Sequence, residues 1–233
     1  MIDVNHQTLL ITHLTFDSWD YREFSLKDAG LDIALIKAGI GHWMLPHQGV
    51  ADWKADTLVT GYLRLLPMEC FQETNVTPHM HSVVDFLYEV HGVVAEIGDG
   101  NWVIQTGLPL LVEQPAFPWM FQGQFLGAMG RLEFVPLERG SKDFESKSDW
   151  VRRYRLLQVT DQLDFFRHLQ TEHNSPIQPG NTTTTRRESF LELRRLFPGK
   201  KLDTLILQNA SRKLGYFCLV LEVDSAGKTK SFF

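Results

Sequence analysis

Two patterns of apolar and polar positions divide the chain. Up to about Arg139, short apolar runs rich in β-favouring residues alternate with turn residues. Residues 9–12, 33–36 and 58–66 are such runs, with Gly39, Gly41, Pro46 and Gly49 punctuating the stretch between the last two. Residues 93–97 meet residues 101–104 across Gly98-Asp99-Gly100, and the Asp-Gly pair allows the positive φ that a tight hairpin needs. Residues 132–135 alternate and are placed to close the sheet. After Gly140 the pattern changes. Residues 141–148 read as a polar linker, and 150–169 as a helix with Val151, Tyr154, Leu157, Phe165 and Leu169 at helical spacing. Residues 171–185 form a polar loop. Thr185-Arg186-Arg187-Glu188 then has the spacing of a capping box, because the Thr hydroxyl and Glu carboxylate can satisfy first-turn amides. The helix it opens turns Phe190, Leu193 and Phe197 inward and stops at Pro198-Gly199. Residues 216–223 read as a final buried strand. The expected organisation is a β-rich domain over 1–140 and a helical C-terminal segment with a closing strand over 141–233.

Composition narrows the class without naming a function. A chain of 233 residues that is 43% hydrophobic and 22% charged is neither disordered, fibrous nor coiled-coil. No apolar run approaches the length of a membrane-spanning helix, and the first residues lack the basic start of a secretory signal, so a cytoplasmic location is expected. The two cysteines, Cys70 and Cys218, exclude a disulfide framework and a cysteine-rich zinc module, and both read as inert core thiols. The net charge of −5 hides an asymmetry. Residues 186–213 carry eight Arg or Lys against three Asp or Glu, a basic segment set against an acidic remainder. That segment reads either as a solvated helix face or as a surface for phosphate or an acidic partner.

Chemistry concentrates between Pro78 and Phe121. In an extended strand, residues two apart share a face, so His79 and His81 can present two imidazoles together. Asp85 adds a hard oxygen ligand just beyond them. Two His and one carboxylate form a facial set suited to a divalent transition metal such as Fe, Mn, Ni or Zn, with open positions for substrate or dioxygen. There is no Gly-rich phosphate loop and no nucleophile elbow.

The sequence His79-x-His81-x3-Asp85-x6-Gly92 resembles the first motif of the cupin superfamily, G-x5-H-x-H-x3,4-E-x6-G, with Asp in place of Glu and Glu73 in place of the first Gly. The second cupin motif is less well matched. Phe117 replaces its glycine, and Trp119 stands where the last His ligand belongs. The resemblance covers roughly residues 55–136. It implies a mainly β fold, a cupin-like jelly-roll barrel with a C-terminal α/β appendage. It also implies an inward pocket holding His79, His81 and Asp85, with Tyr88 or Glu89 moving a proton and Trp119 stacking on a ligand. One expected function is a metal-dependent enzyme of oxygenase, isomerase or lyase type. The alternative is a metal-free ligand sensor or a regulatory or assembly protein with a basic C-terminal surface. A homodimer is expected by analogy with other cupin-like proteins. DNA binding is disfavoured because no pair of helix-turn-helix units fits the available residues.

Overall fold

The computed structural model describes residues 35–44, 53–75, 77–137, 147, 149–173, 183–202, 204–205 and 215–224. The fold is mainly β. In chain order the elements are β1 (Ile36–Gly41), a 3-10 turn (His42–Met44), β2 (Trp53–Lys54), β3 (Leu58–Gln72), β4 (His79–Val84), β5 (Leu87–Ile97), β6 (Trp102–Gln105), β7 (Pro109–Val112), β8 (Phe125–Pro136) and β9 (Arg152–Asp161). Helices α1 (Leu163–His173) and α2 (Thr183–Leu196) follow, then β10 (Lys200–Leu202), β11 (Thr204–Leu205) and β12 (Tyr216–Val223). Ten strands form one sheet in the order β10-β9-β12-β1-β8-β3-β7-β6-β5-β4, and β11 pairs with β2. Two further pairings, β9 with β3 and β5 with β8, return the sheet on itself. Strand pairing therefore runs in two circuits that share the long β3–β8 ladder.

Alternation along these strands sorts the side chains. Leu63 and Leu65 on β3, Val90 and Val94 on β5, and Leu126, Ala128, Leu132 and Phe134 on β8 face one apolar core, joined by Trp102, Ile104 and Leu110. The opposite face is covered over part of its area by the helices. Phe165, Phe166 and Leu169 of α1 and Phe190 and Leu193 of α2 pack there on Val84, Phe86, Leu87, Met129 and Tyr216. α2 ends as its sequence dictates. Arg194 donates to the Phe197 carbonyl (2.9 Å), Pro198 cannot continue the helix, and Gly199 takes a φ of 36°.

The Asp99-Gly100 hairpin forms as expected, with Gly100 at φ 85° and Gly98 N–H donating to Asn101 at 2.8 Å. The closing strand is β12, and α2 begins at Thr183, two residues ahead of the expected cap. The expected run at 9–12 and residues 33–34 of the run at 33–36 lie outside the described residues. The helix expected over 150–169 is not formed: residues 152–161 are β9, and helix begins only at Leu163. A bulge explains the misleading spacing. β12 pairs Val220 with Gln158 and the next residue, Leu221, with Leu156, so Leu157 has no partner and the buried set becomes Tyr154, Leu156 and Val159. Because β9 pairs with β3 and β12 with β1, the chain after Gly140 is woven into the same sheet as the chain before it. Among the described residues no helix is long and apolar enough to cross a membrane.

Candidate functional site

The motif residues lie on the hairpin of β4 and β5, in the register His79–His91, Met80–Val90, His81–Glu89 and Ser82–Tyr88. Met80, Tyr88 and Val90 face the apolar core. His79, His81, Glu89 and His91 therefore occupy the other face, the outside of the sheet. The two imidazoles do share a face, but the resemblance implies an inward pocket and these side chains point away from it. Polar residues alternate here with Met80, Tyr88 and Val90, and burying the apolar set is the more favourable choice.

A carboxylate–imidazole row forms on that outer face. β8 lies between β3 and β5, and Gly127 pairs with both Phe71 and His91. A Cβ on Gly127 would stand 2.2 Å from the Phe71 ring and 2.9 Å from Glu73 Oε1, so only glycine leaves the gap through which Glu73 reaches His91. His91 Nδ1 is 2.8 Å from Glu73 Oε1, and its Nε2 is 3.4 Å from Glu89 Oε1. Glu89 Oε2 in turn lies 3.4 Å from His81 Nε2. The ring of His79 stacks on that of His91 at 4.4 Å, and its Nδ1 is 2.9 Å from the Thr77 carbonyl. Glu73 Oε2 is buried with no hydrogen-bond partner among the described residues. Alternation in the sequence places His91 on the face of Glu89, as found, whereas nothing in the sequence marks Glu73, which reaches the row from the loop after β3.

Asp85 does not join the histidines. The β4–β5 pairing is irregular between Ser82 and Val84, and Asp85 follows in the turn with φ at 46°. Its carboxylate accepts from Arg194 Nε and from Gln162 Nε2 (3.1 Å) and faces Lys37 Nζ at 3.7 Å. It anchors α2 to the sheet. Among the described residues no three His, Cys, Asp or Glu side chains converge to hold a metal ion, so the expected ligand set does not fit one. Tyr88 is also unsuited to move a proton. Its hydroxyl accepts from the Lys37 amide (2.9 Å), and burial pushes its pKa far above the ordinary value. Trp119 lines no inward pocket: it is 37% exposed and stacks on Phe117 at 5.5 Å, with Phe121 beside it 62% exposed. Their loop is held firmly, since Met120 N–H donates to Phe117 (2.9 Å), Gly123 N–H to Val94 (2.8 Å) and Phe121 N–H to Gln124 Oε1 (3.1 Å). Burial pushes the Cys70 thiol up to about 11 and that of Cys218 higher still, so neither is a thiolate at neutral pH.

Sequence reasoning missed a second polar system altogether. Glu133 is only 2% exposed and accepts from Arg64 (2.7 Å), Arg131 (3.1 Å) and the Tyr216 hydroxyl (3.0 Å). Gly39 makes room for that hydroxyl, because a Cβ there would lie 2.2 Å from Tyr216 Oη. Arg64 also reaches Glu113 (2.6 Å), which accepts from Tyr62 (2.8 Å) and Lys147 as well. Burial alone would raise the Glu113 carboxyl, but hydrogen bonds from Lys147, Arg64 and Tyr62 overcome this and hold it at about 2. A carboxyl depressed from its ordinary value of 4.5 contributes stability that is complete above that value and is lost as pH falls toward about 2. After allowance for its partial exposure this amounts to about 1–2 kcal/mol. Glu113→Gln should accordingly melt below the native chain at neutral pH, and the gap should close between these two pH values in a calorimetric series.

Comparison with known proteins gives no match: no family model, no curated relative and no solved structure matches the chain. The site's reading rests on its own geometry. Part of the basic segment is spent internally, since Arg194 is paired with Asp85. Arg212, Lys213 and the side chains of Arg186 and Arg187 lie outside the described residues.

Proposed function

We propose that this chain is a binding and assembly protein that makes its contacts on the outside of a cupin-like β fold and runs no metal chemistry within it. Side-chain direction carries this reading. The core-facing side of the sheet is filled with apolar residues, while the motif's imidazoles and carboxylates stand on the outer face. The exposed aromatic loop supports it. Phe117, Trp119 and Phe121 form an apolar patch on a rigid mount, and aromatic side chains of this kind dominate contact energies in protein interfaces. The loop is tied to β5 at Val94, three residues from His91, so patch and histidine row occupy neighbouring parts of the sheet.

Light scattering over a wide concentration range tests the proposal. The native chain should associate reversibly, and Trp119→Ser with Phe121→Ser should weaken association at least tenfold while leaving the melting temperature unchanged. A native chain that stays monomeric throughout refutes the assembly reading.

A further inference from the structure

The network around Glu133 carries more positive charge than its carboxylates offset. Arg64, Arg131 and Lys147 supply three cations, and Glu113 and Glu133 two carboxylates. The surplus has a definite place. Arg64 gives its two terminal nitrogens to Glu113 and Glu133, and Lys147 is spent on Glu113 and the Tyr62 hydroxyl. Arg131 is held differently. Only its Nε is paired, 3.1 Å from Glu133 Oε1, and among the described residues its two terminal nitrogens make no hydrogen bond.

The setting holds this guanidinium in place. Leu132 and Phe134 face the apolar core, so Arg131 and Glu133 stand on the outer face of the sheet, beside Phe166 of α1. There the guanidinium carbon lies 4.9 Å from the centre of the Phe166 ring and 5.9 Å from that of Tyr216. The two rings stack on each other at 3.8 Å, and the Tyr216 hydroxyl donates to Glu133 (3.0 Å), so rings and carboxylate are fixed relative to one another. Together they grip Arg131 at its Nε and along its plane, and leave the terminal edge of the fork unclaimed. The side chain keeps only 20% of its exposure, so the charge has lost much of its water without gaining a full set of partners.

We infer that the terminal edge of Arg131 is a binding site for an oxyanion, the phosphate or carboxylate group of a small molecule. A guanidinium offers two parallel N–H donors that match two oxygens of such a group, and an ammonium has no such fork. The bound anion balances the surplus charge of the network. Glu133, Phe166 and Tyr216 act as positioning residues: they orient the fork before the ligand arrives, which lowers the ordering cost of binding. The site is independent of the assembly reading, since it shares no residue with the aromatic loop or the histidine row.

Calorimetric titration of the full chain with inorganic phosphate and with acetate tests this. Ionic strength is held fixed with chloride, because general screening acts on every exposed charge alike. The expected result is a saturable response to at least one of the two anions, and the arm that saturates gives the class of ligand. Arg131→Lys keeps a cation beside Glu133 and loses the fork, whereas Arg131→Gln loses both. Each should weaken the response by about tenfold or more. Arg155→Gln removes an arginine that is 52% exposed and 3.9 Å from Glu222, and should leave the response unchanged. Titrations are run well below each variant's melting temperature, so a lower stability of Arg131→Gln does not mask the result. A native chain with no saturable response overturns the site. So does a response that survives in both Arg131 variants, or one that Arg155→Gln also removes.

Discussion

Glu133→Ala should lower the thermal midpoint by on the order of 10 °C, the largest effect expected of any single substitution considered. The carboxylate is the common acceptor for Arg64, Arg131 and the Tyr216 hydroxyl, and it is almost wholly out of water. Removing it leaves Arg64 with Glu113 as its one carboxylate partner among the described residues. Arg131 keeps its guanidinium 4.9 Å over the Phe166 ring and loses its ion pair. Breaking one side of a buried pair costs about 3–5 kcal/mol, because the desolvated partner charges stay behind. Glu133→Gln should recover part of this, since an amide oxygen still accepts while the neutral group no longer offsets two guanidinium charges. Calorimetry on the three proteins checks the order. An alanine variant as stable as the native chain would mean that water takes the carboxylate's place.

Asp85→Asn is expected to cost about 1.5–3 kcal/mol, the range for a hydrogen bond to a charged group. Asparagine tolerates the left-handed φ of 46° found there, so the loss reports the charge and not backbone strain. Arg194, Gln162 and Lys37 all turn toward this carboxylate, and Arg194 belongs to α2. Amide exchange should therefore rise first in α2 and around Val84, which shares its apolar cluster with Leu193 of α2. A double-mutant cycle with Arg194→Leu gives the decisive number. If the two losses simply add, the pair is not coupled and the anchoring role is wrong.

The elements most legible in the sequence were those with local punctuation. Asp99-Gly100 marked the β5–β6 hairpin, Pro198-Gly199 ended α2, and the unbroken apolar run Tyr216–Leu221 announced β12. β9 was misread because a bulge at Leu157 moves the buried positions from a spacing of two to a spacing of three, which imitates a helix over so short a run. For the site, the spacing of His79 and His81 established a shared face and left its direction open. Direction was written in the neighbours: Met80, Tyr88 and Val90 interleave with His79, His81, Glu89 and His91, and the apolar set goes inside. The cupin motif suggested the reverse. The distance from His81 to Asp85 could not encode the turn that carries the carboxylate to Arg194, a residue more than a hundred positions later. Arg64, Arg131 and Glu133 gave only the faint signal of charges inside alternating apolar runs.

The shared β3–β8 ladder also bears on synthesis. One circuit, through β3, β7, β6, β5 and β8, is complete once residue 136 has been made. The other joins Ile36–Gly41 to a strand that starts at Tyr216, so until that strand has been made β1 has, among the described residues, only its pairing with β8 at Gly39. A product truncated before β12 would carry a finished half-sheet beside bare strand edges on β1 and β9, a species more prone to aggregate than to remain as a smaller folded protein.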